Sequence, residues 1–157
     1  MFALISNGVC MLLKVNAKST AVMNVIAGSA LLIVNLAFVA SMEPTAANYL
    51  NVTAGLLFSF NYFFIASCLL FNVEWRAYGL YAMGVVMFAS VMLGISMYNK
   101  DWLFAALWGA WGLLWLESFV EHTVGVKQLG KAFPFMAIAV GIFAAGLPGI
   151  LMLTGVV

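Results

Sequence analysis

Charge is what this sequence has least of. Only 7% of its 157 residues are Asp, Glu, Lys or Arg, where a water-soluble domain carries about 25%. Such a chain cannot coat itself for water, so a soluble globular domain is excluded. The net charge of +1 removes any case for a nucleic-acid surface or an acidic tail. Histidine occurs once and cysteine twice. Cys10 and Cys68 lie in apolar runs with no CxxC, zinc spacing or disulfide framework, so they read as small buried hydrophobes. There is no HExxH, no GxSxG and no phosphate-binding glycine loop. No enzyme, metal or cofactor is expected. Met1 runs straight into apolar sequence without a basic n-region, so no cleavable signal peptide is expected either.

What is there is apolar surface: 66% hydrophobic residues and a mean hydropathy of +1.14. These values describe an all-α integral membrane protein. Residues 1–157 make one domain's worth of chain, room for roughly six spans at about 20 residues each. Six apolar stretches emerge, near 1–13, 20–41, 52–72, 77–98, 102–121 and 132–156, joined by short polar connections. The first would be only about 20 Å long as a helix, short of the roughly 30 Å hydrocarbon core; it is a half-length helix or a truncated start. Basic residues set the orientation. Loops one, three and five carry Lys14, Lys18, Arg76, Lys127 and Lys131, against Lys100 alone in loops two and four. Odd loops are therefore expected in the cytoplasm and both termini outside.

The fifth stretch contains "WGAWGLLWLE" at 108–117. At about 100° per residue, Trp108, Trp111 and Trp115 fall on one stripe, extended by Phe104, while Glu117 and Glu121 lie roughly opposite. Trp102, near the helix start, suits an interfacial belt. The other three spread over about 10 Å along the axis, too far for one belt. They line a lumen or pack a core. In the third stretch Phe58, Asn61, Tyr62 and Ile65 share a face; for Asn61 an interhelical hydrogen bond is the alternative. Two faces of aromatic surface with N–H, O–H and amide groups would suit a small, flat, neutral solute and discourage ions. Glu117 and Glu121 sit near a helix C-terminus, where a carboxylate opposes the macrodipole. Each is expected to have a basic or hydrogen-bonding partner as a structural acid. His122 reads as an interfacial side chain.

Five segments in order, "LISNGVCMLLKVNAKSTAVMN" (4–24), "TAGLLFSFNY" (53–62), "EWRAYGLY" (74–81), "LWGAWGLLWLESFVE" (107–121) and "QLGKAFP" (128–134), resemble the AmiS/UreI family of urea and short-chain amide channels. The resemblance implies six transmembrane helices in a twisted bundle around a pore within each protomer, and a homo-hexameric ring in the bacterial inner membrane. It carries lumen roles onto Phe58, Tyr62, Trp108, Trp111, Leu114 and Trp115, with Leu4, Gly8, Met11, Asn61 and Ile65 as additional candidates. Two departures stand out. The acid-gated members have a long external loop rich in His and acids, whereas loop two here is "MEPTAANYLN" without His; acid gating is not expected. Those members also carry a carboxylate in the sixth helix, where this chain has Val140 in "AIAVGIF".

The expected function is passive conduction of urea or a small aliphatic amide. A proton-coupled amide transporter using Glu117 is a second transport reading. A membrane sensor or scaffold for a cytosolic urease or amidase is the reading from another class.

Overall fold

The computed structural model describes residues 2–155, and its regular elements are all helical. Contacts divide the chain into two compact units, residues 16–73 and residues 1–15 with 74–157.

The unit of residues 16–73 is a helical hairpin. Polar residues start both helices by satisfying first-turn N–H groups. The Asn16 side chain accepts from the Lys18 N–H at 2.8 Å to open α2 (Ala17–Ser41), and the Thr45 hydroxyl accepts from the Asn48 N–H at 3.2 Å to open α3 (Ala46–Phe71). Asn72, in the left-handed region at φ 55, ends α3.

Val52, Ser59 and Ala66 are buried on α3 at seven-residue intervals, as are Ala21 and Gly28 on α2. That repeat holds one seam of each helix against its partner. Inside a membrane, close packing and interhelical hydrogen bonds replace the hydrophobic drive. Gly28 lies against the Ser59 backbone and the Phe63 ring, so that even a methyl group would sit 3.1–3.2 Å from them. The Ser59 hydroxyl donates to the Gly28 carbonyl at 2.7 Å. The Asn35 amide fills the space over Gly55.

The other unit contains α1 (Phe2–Leu12), α4 (Trp75–Tyr98) and α5 (Trp102–Phe119). On α4, Tyr78, Ala82, Val85, Ala89, Met92 and Ser96 are buried. Their spacing alternates four and three residues, a straight seam for the antiparallel α5. Asp101 caps α5 by accepting from the Phe104 N–H at 3.1 Å, and its charge suits the helix N-terminus. Beyond Phe119 the chain continues through a π-helical turn, Val120–Val124, closed by Gly125 at φ 92.

A 3-10 turn (Leu129–Lys131) leads to α6 (Phe133–Val140), a π-helical segment (Gly141–Gly146) and α7 (Leu147–Leu153), which together make one span. Pro148 has no N–H to continue an α-helical ladder, and the widened turn just before it absorbs the mismatch. α1 packs on α6 through glycine: a Cβ on Gly8 would meet the Pro134 carbonyl and Ile138, and one on Gly141 would meet Ile5.

Among the described residues, five helices are long and apolar enough to cross a membrane, whereas Phe2–Leu12 is shorter. α2 and α3 start three and six residues before their apolar stretches because their capped first turns are polar. Loop two, expected over 42–51, shrinks to four residues between Ser41 and Ala46. Hydroxyls within the spans are satisfied locally: Thr53, Ser67, Ser90 and Ser118 each donate to the carbonyl four residues earlier, as a waterless interior requires.

Candidate pore-lining site

α5 is the element whose side chains the sequence singled out. Trp108 and Trp115 are each 5% exposed and Leu114 is 6% exposed, while Trp111 is half-buried. Trp108 meets Trp111 edge to face, with ring centroids 5.1 Å apart at 87°, and meets Phe88 of α4 at 5.8 Å and 71°. These are the offset geometries that aromatic quadrupoles favour. The indoles are thus held in place by packing. Phe104, at the start of the stripe, is exposed, as is the belt residue Trp102.

Between α4 and α5 lies a cavity of about 260 Å³, bounded by Val86, Ala89, Leu93, Trp108, Gly112 and Leu116 among others. Trp111 does not border it. Trp108 therefore separates this apolar recess from the ladder. Phe88, its second ring partner, was not legible in the sequence: it is one phenylalanine in a long apolar run.

In the hairpin unit, Asn61 and Tyr62 are buried on α3, whereas Phe58 and Ile65 are half-buried. On α1, Gly8 lies in the contact with α6 described above, Leu4 is half-buried beside Gly141, and Met11 is exposed.

The two acids differ in their surroundings. Glu117 is 5% exposed, and neither of its carboxylate oxygens meets a hydrogen-bond donor or basic group among the described residues. Where a basic or hydrogen-bonding partner was expected, its neighbour is a second carboxylate, that of Glu121. The reason is geometric: the lysines that follow, Lys127 and Lys131, are exposed on the turns beyond Gly125. Glu121 has its own neighbour, the His122 imidazole, with Oε2 and Nε2 3.9 Å apart. His122 itself stacks on Trp75 with centroids 5.0 Å apart and meets the Tyr78 edge at 5.8 Å. Sequence reasoning left it a solitary interfacial residue because Trp75 and Tyr78 are more than forty positions away.

No group of three or more His, Cys, Asp or Glu side chains that could hold a metal occurs among the described residues. Seamed apolar spans carrying aromatic faces with few ionisable groups define a polytopic membrane transport protein for uncharged solutes. Comparison with known proteins gives that class a family. The AmiS/UreI family transporter description matches residues 1–156, and the chain belongs to that family.

Among its relatives is the acid-activated urea channel of Helicobacter pylori, 34% identical over an alignment covering 95% of this chain and 91% of the relative. A putative amidate substrates transporter protein of Mycolicibacterium smegmatis is 24% identical, with 97% of this chain and 72% of that protein covered. The crystal structure of the Helicobacter pylori urea channel superposes with a TM-score of 0.87 at 35% identity, covering 97% of this chain and 92% of that one. A cryo-electron microscopy structure of that channel in a closed state gives 0.86 at 34% identity, with 98% and 92% covered.

Proposed function

We propose that this chain forms one transmembrane channel domain over residues 1–157, passing urea or a small aliphatic amide passively across the bacterial inner membrane. The observation that carries this reading is the packed indole ladder of α5, in a family whose relatives bear the names urea channel and amidate transporter. Phe58, Tyr62, Trp108, Trp111, Leu114 and Trp115 line the proposed pore, with Leu4, Met11, Asn61 and Ile65 as additional contributors; Gly8 is assigned to helix packing. A flat neutral amide exchanges part of its hydration for ring faces and indole or phenol hydrogen bonds. Such a wall binds weakly enough to release, and ions gain no counter-charge from it. The protomers assemble as a homo-hexamer in this proposal, with odd loops in the cytoplasm and both termini outside.

A second reading, proton-coupled amide transport, is favoured by one observation: the buried, donorless carboxylate of Glu117. Flux of labelled urea, acetamide and glycerol into proteoliposomes decides between the two. A channel gives unsaturable flux of urea and acetamide, little glycerol flux and no response to an imposed proton gradient. Saturation together with gradient-driven accumulation would replace the channel by the carrier, and no flux of either amide would remove both.

A further inference from the structure

The C-terminal end of α5 and the π turn after it bring Glu117, Glu121 and His122 into a row that the aromatic ladder does not use. Glu117 and Glu121 stand one helical turn apart with their carboxyl groups side by side. Glu117 is 5% exposed, and no N–H or O–H among the described residues reaches either of its oxygens. Two acceptors in contact with no donor between them lack one thing, a proton. A bare carboxylate buried without a donor is strongly disfavoured, and a like charge beside it adds to the cost.

The surroundings supply no alternative neutraliser. α4 brings Tyr78, Tyr81 and, at its start, Glu74 and Arg76; the 3-10 turn brings Lys131, and the connection before it Lys127. α6 and the Gly141–Gly146 segment carry no titratable side chain. No Lys or Arg comes within 4.0 Å of either carboxylate among the described residues. Gly130 presses on Glu121 so closely that a Cβ there would overlap the carboxyl group. Glu121, 21% exposed, lies 3.9 Å from Nε2 of His122, whose side chain is 23% exposed.

We propose that Glu117 and Glu121 form a proton-binding site holding one proton between them, exchanged with the adjacent, part-exposed His122. The imidazolium gives its Nε2 proton to a Glu121 oxygen and becomes neutral imidazole. The pair, doubly negative when empty, then holds that proton as an O–H···O bond and carries a single negative charge. The shared proton is what allows Glu117 to stay buried. The Trp75 stack fixes the imidazole plane while this happens. The site is independent of what the pore conducts.

His122 is the chain's single histidine, so selectively 15N-histidine-labelled protein, purified without a polyhistidine tag and placed in lipid nanodiscs, reports on it alone. Its titration midpoint is expected to fall in Glu121→Gln, which removes the adjacent charge. In Glu117→Gln it should hold or rise, because the pair already carried only one negative charge and that charge now resides wholly on Glu121. A fall in Glu117→Gln overturns the proposal, since it means that both acids were ionised and one charge was lost. Infrared spectra of the wild-type protein supply a test that needs no variant. At pH 7 a protonated carboxyl C=O band that shifts with 13C-glutamate labelling is expected, and its absence overturns the proposal.

Discussion

The structure divides the tryptophan ladder into a support and a wall, and substitution should separate them. Trp108 is 5% exposed and is held by two edge-to-face contacts, to Phe88 and to Trp111. Such aromatic pairs contribute about 0.5–1.5 kcal/mol each beyond their area burial. Truncating a buried Trp to Ala costs about 3–5 kcal/mol in total, and the 260 Å³ recess beside it merges with the void left behind, which favours the upper half of that range. Trp108→Phe keeps a ring and should lose less than half as much. Trp111 is half-buried, so Trp111→Ala should cost less stability than Trp108→Ala while changing conduction more. The paired measurements are thermal unfolding of the detergent-solubilised protein and the ratio of urea, acetamide and propionamide flux per folded protomer. Trp108→Ala is expected to lower the melting temperature with modest change in the flux ratios; Trp111→Ala is expected to reverse that balance. If Trp111→Ala leaves all three fluxes at their wild-type ratio, the ladder is core packing and the lumen assignment fails.

Gly8→Val should loosen α1 from α6 by about 1–3 kcal/mol, the usual cost of overpacking, because the Pro134 carbonyl is backbone and cannot swing aside; unchanged thermal stability would refute that contact. Ser59→Ala should cost the hairpin only about 1 kcal/mol, since the Gly28 carbonyl keeps its helical environment, and a loss several times larger would show that the hydroxyl has a further role. A C-terminal reporter that fluoresces only in the cytoplasm should stay dark, and a bright fusion would overturn the outward placement of the termini. Urea flux should show no steep acid activation between pH 7.5 and pH 5, because loop two holds no side chain that titrates near the ordinary histidine value of about 6.5; a steep rise in that range would refute this.

Helices were legible because the chain writes them in composition and little else is compatible with a bilayer. The starts of α2 and α3 were not, since the polar residues that follow their caps Asn16 and Thr45 are trimmed away by an apolar window, although each cap is a standard type. The π-helical segment at Gly141–Gly146 was hidden because hydropathy is blind to hydrogen-bond register; Pro148 was its one visible sign. On α5 the spacing of the tryptophans located their shared stripe, but spacing says which residues share a face and not how deep each one sits. The half-burial of Trp111 against the full burial of Trp108 depends on Phe88, twenty positions away on another helix. Of the basic or hydrogen-bonding partner expected for Glu117, the basic one is not found among the described residues, for a related reason. Proximity in sequence to Lys127 and Lys131 suggested one, yet the reversal at Gly125 leaves both lysines exposed and sets Gly130 against Glu121 instead.

The placement of charge on α5 fits the proposed conduction of neutral solutes. Glu117 lies roughly opposite the indole stripe on the helical wheel, with Glu121 on the π turn that follows, so a helix that offers aromatic surface on one face holds its acid on the other. A carboxylate among the indoles would bind cations and hold a urea too firmly through charge-assisted hydrogen bonds, slowing release. Moved behind the ladder, the same group no longer competes for the solute, but it must be neutralised where it is. No lysine or arginine reaches it, and the side chain in contact with it is another acid. A shared proton satisfies that demand while adding no fixed positive charge to the span. The permeation face then stays uncharged whether or not His122 is protonated, which is the arrangement a channel for neutral amides requires and a proton-coupled carrier, needing its titrating group beside the substrate, would not use.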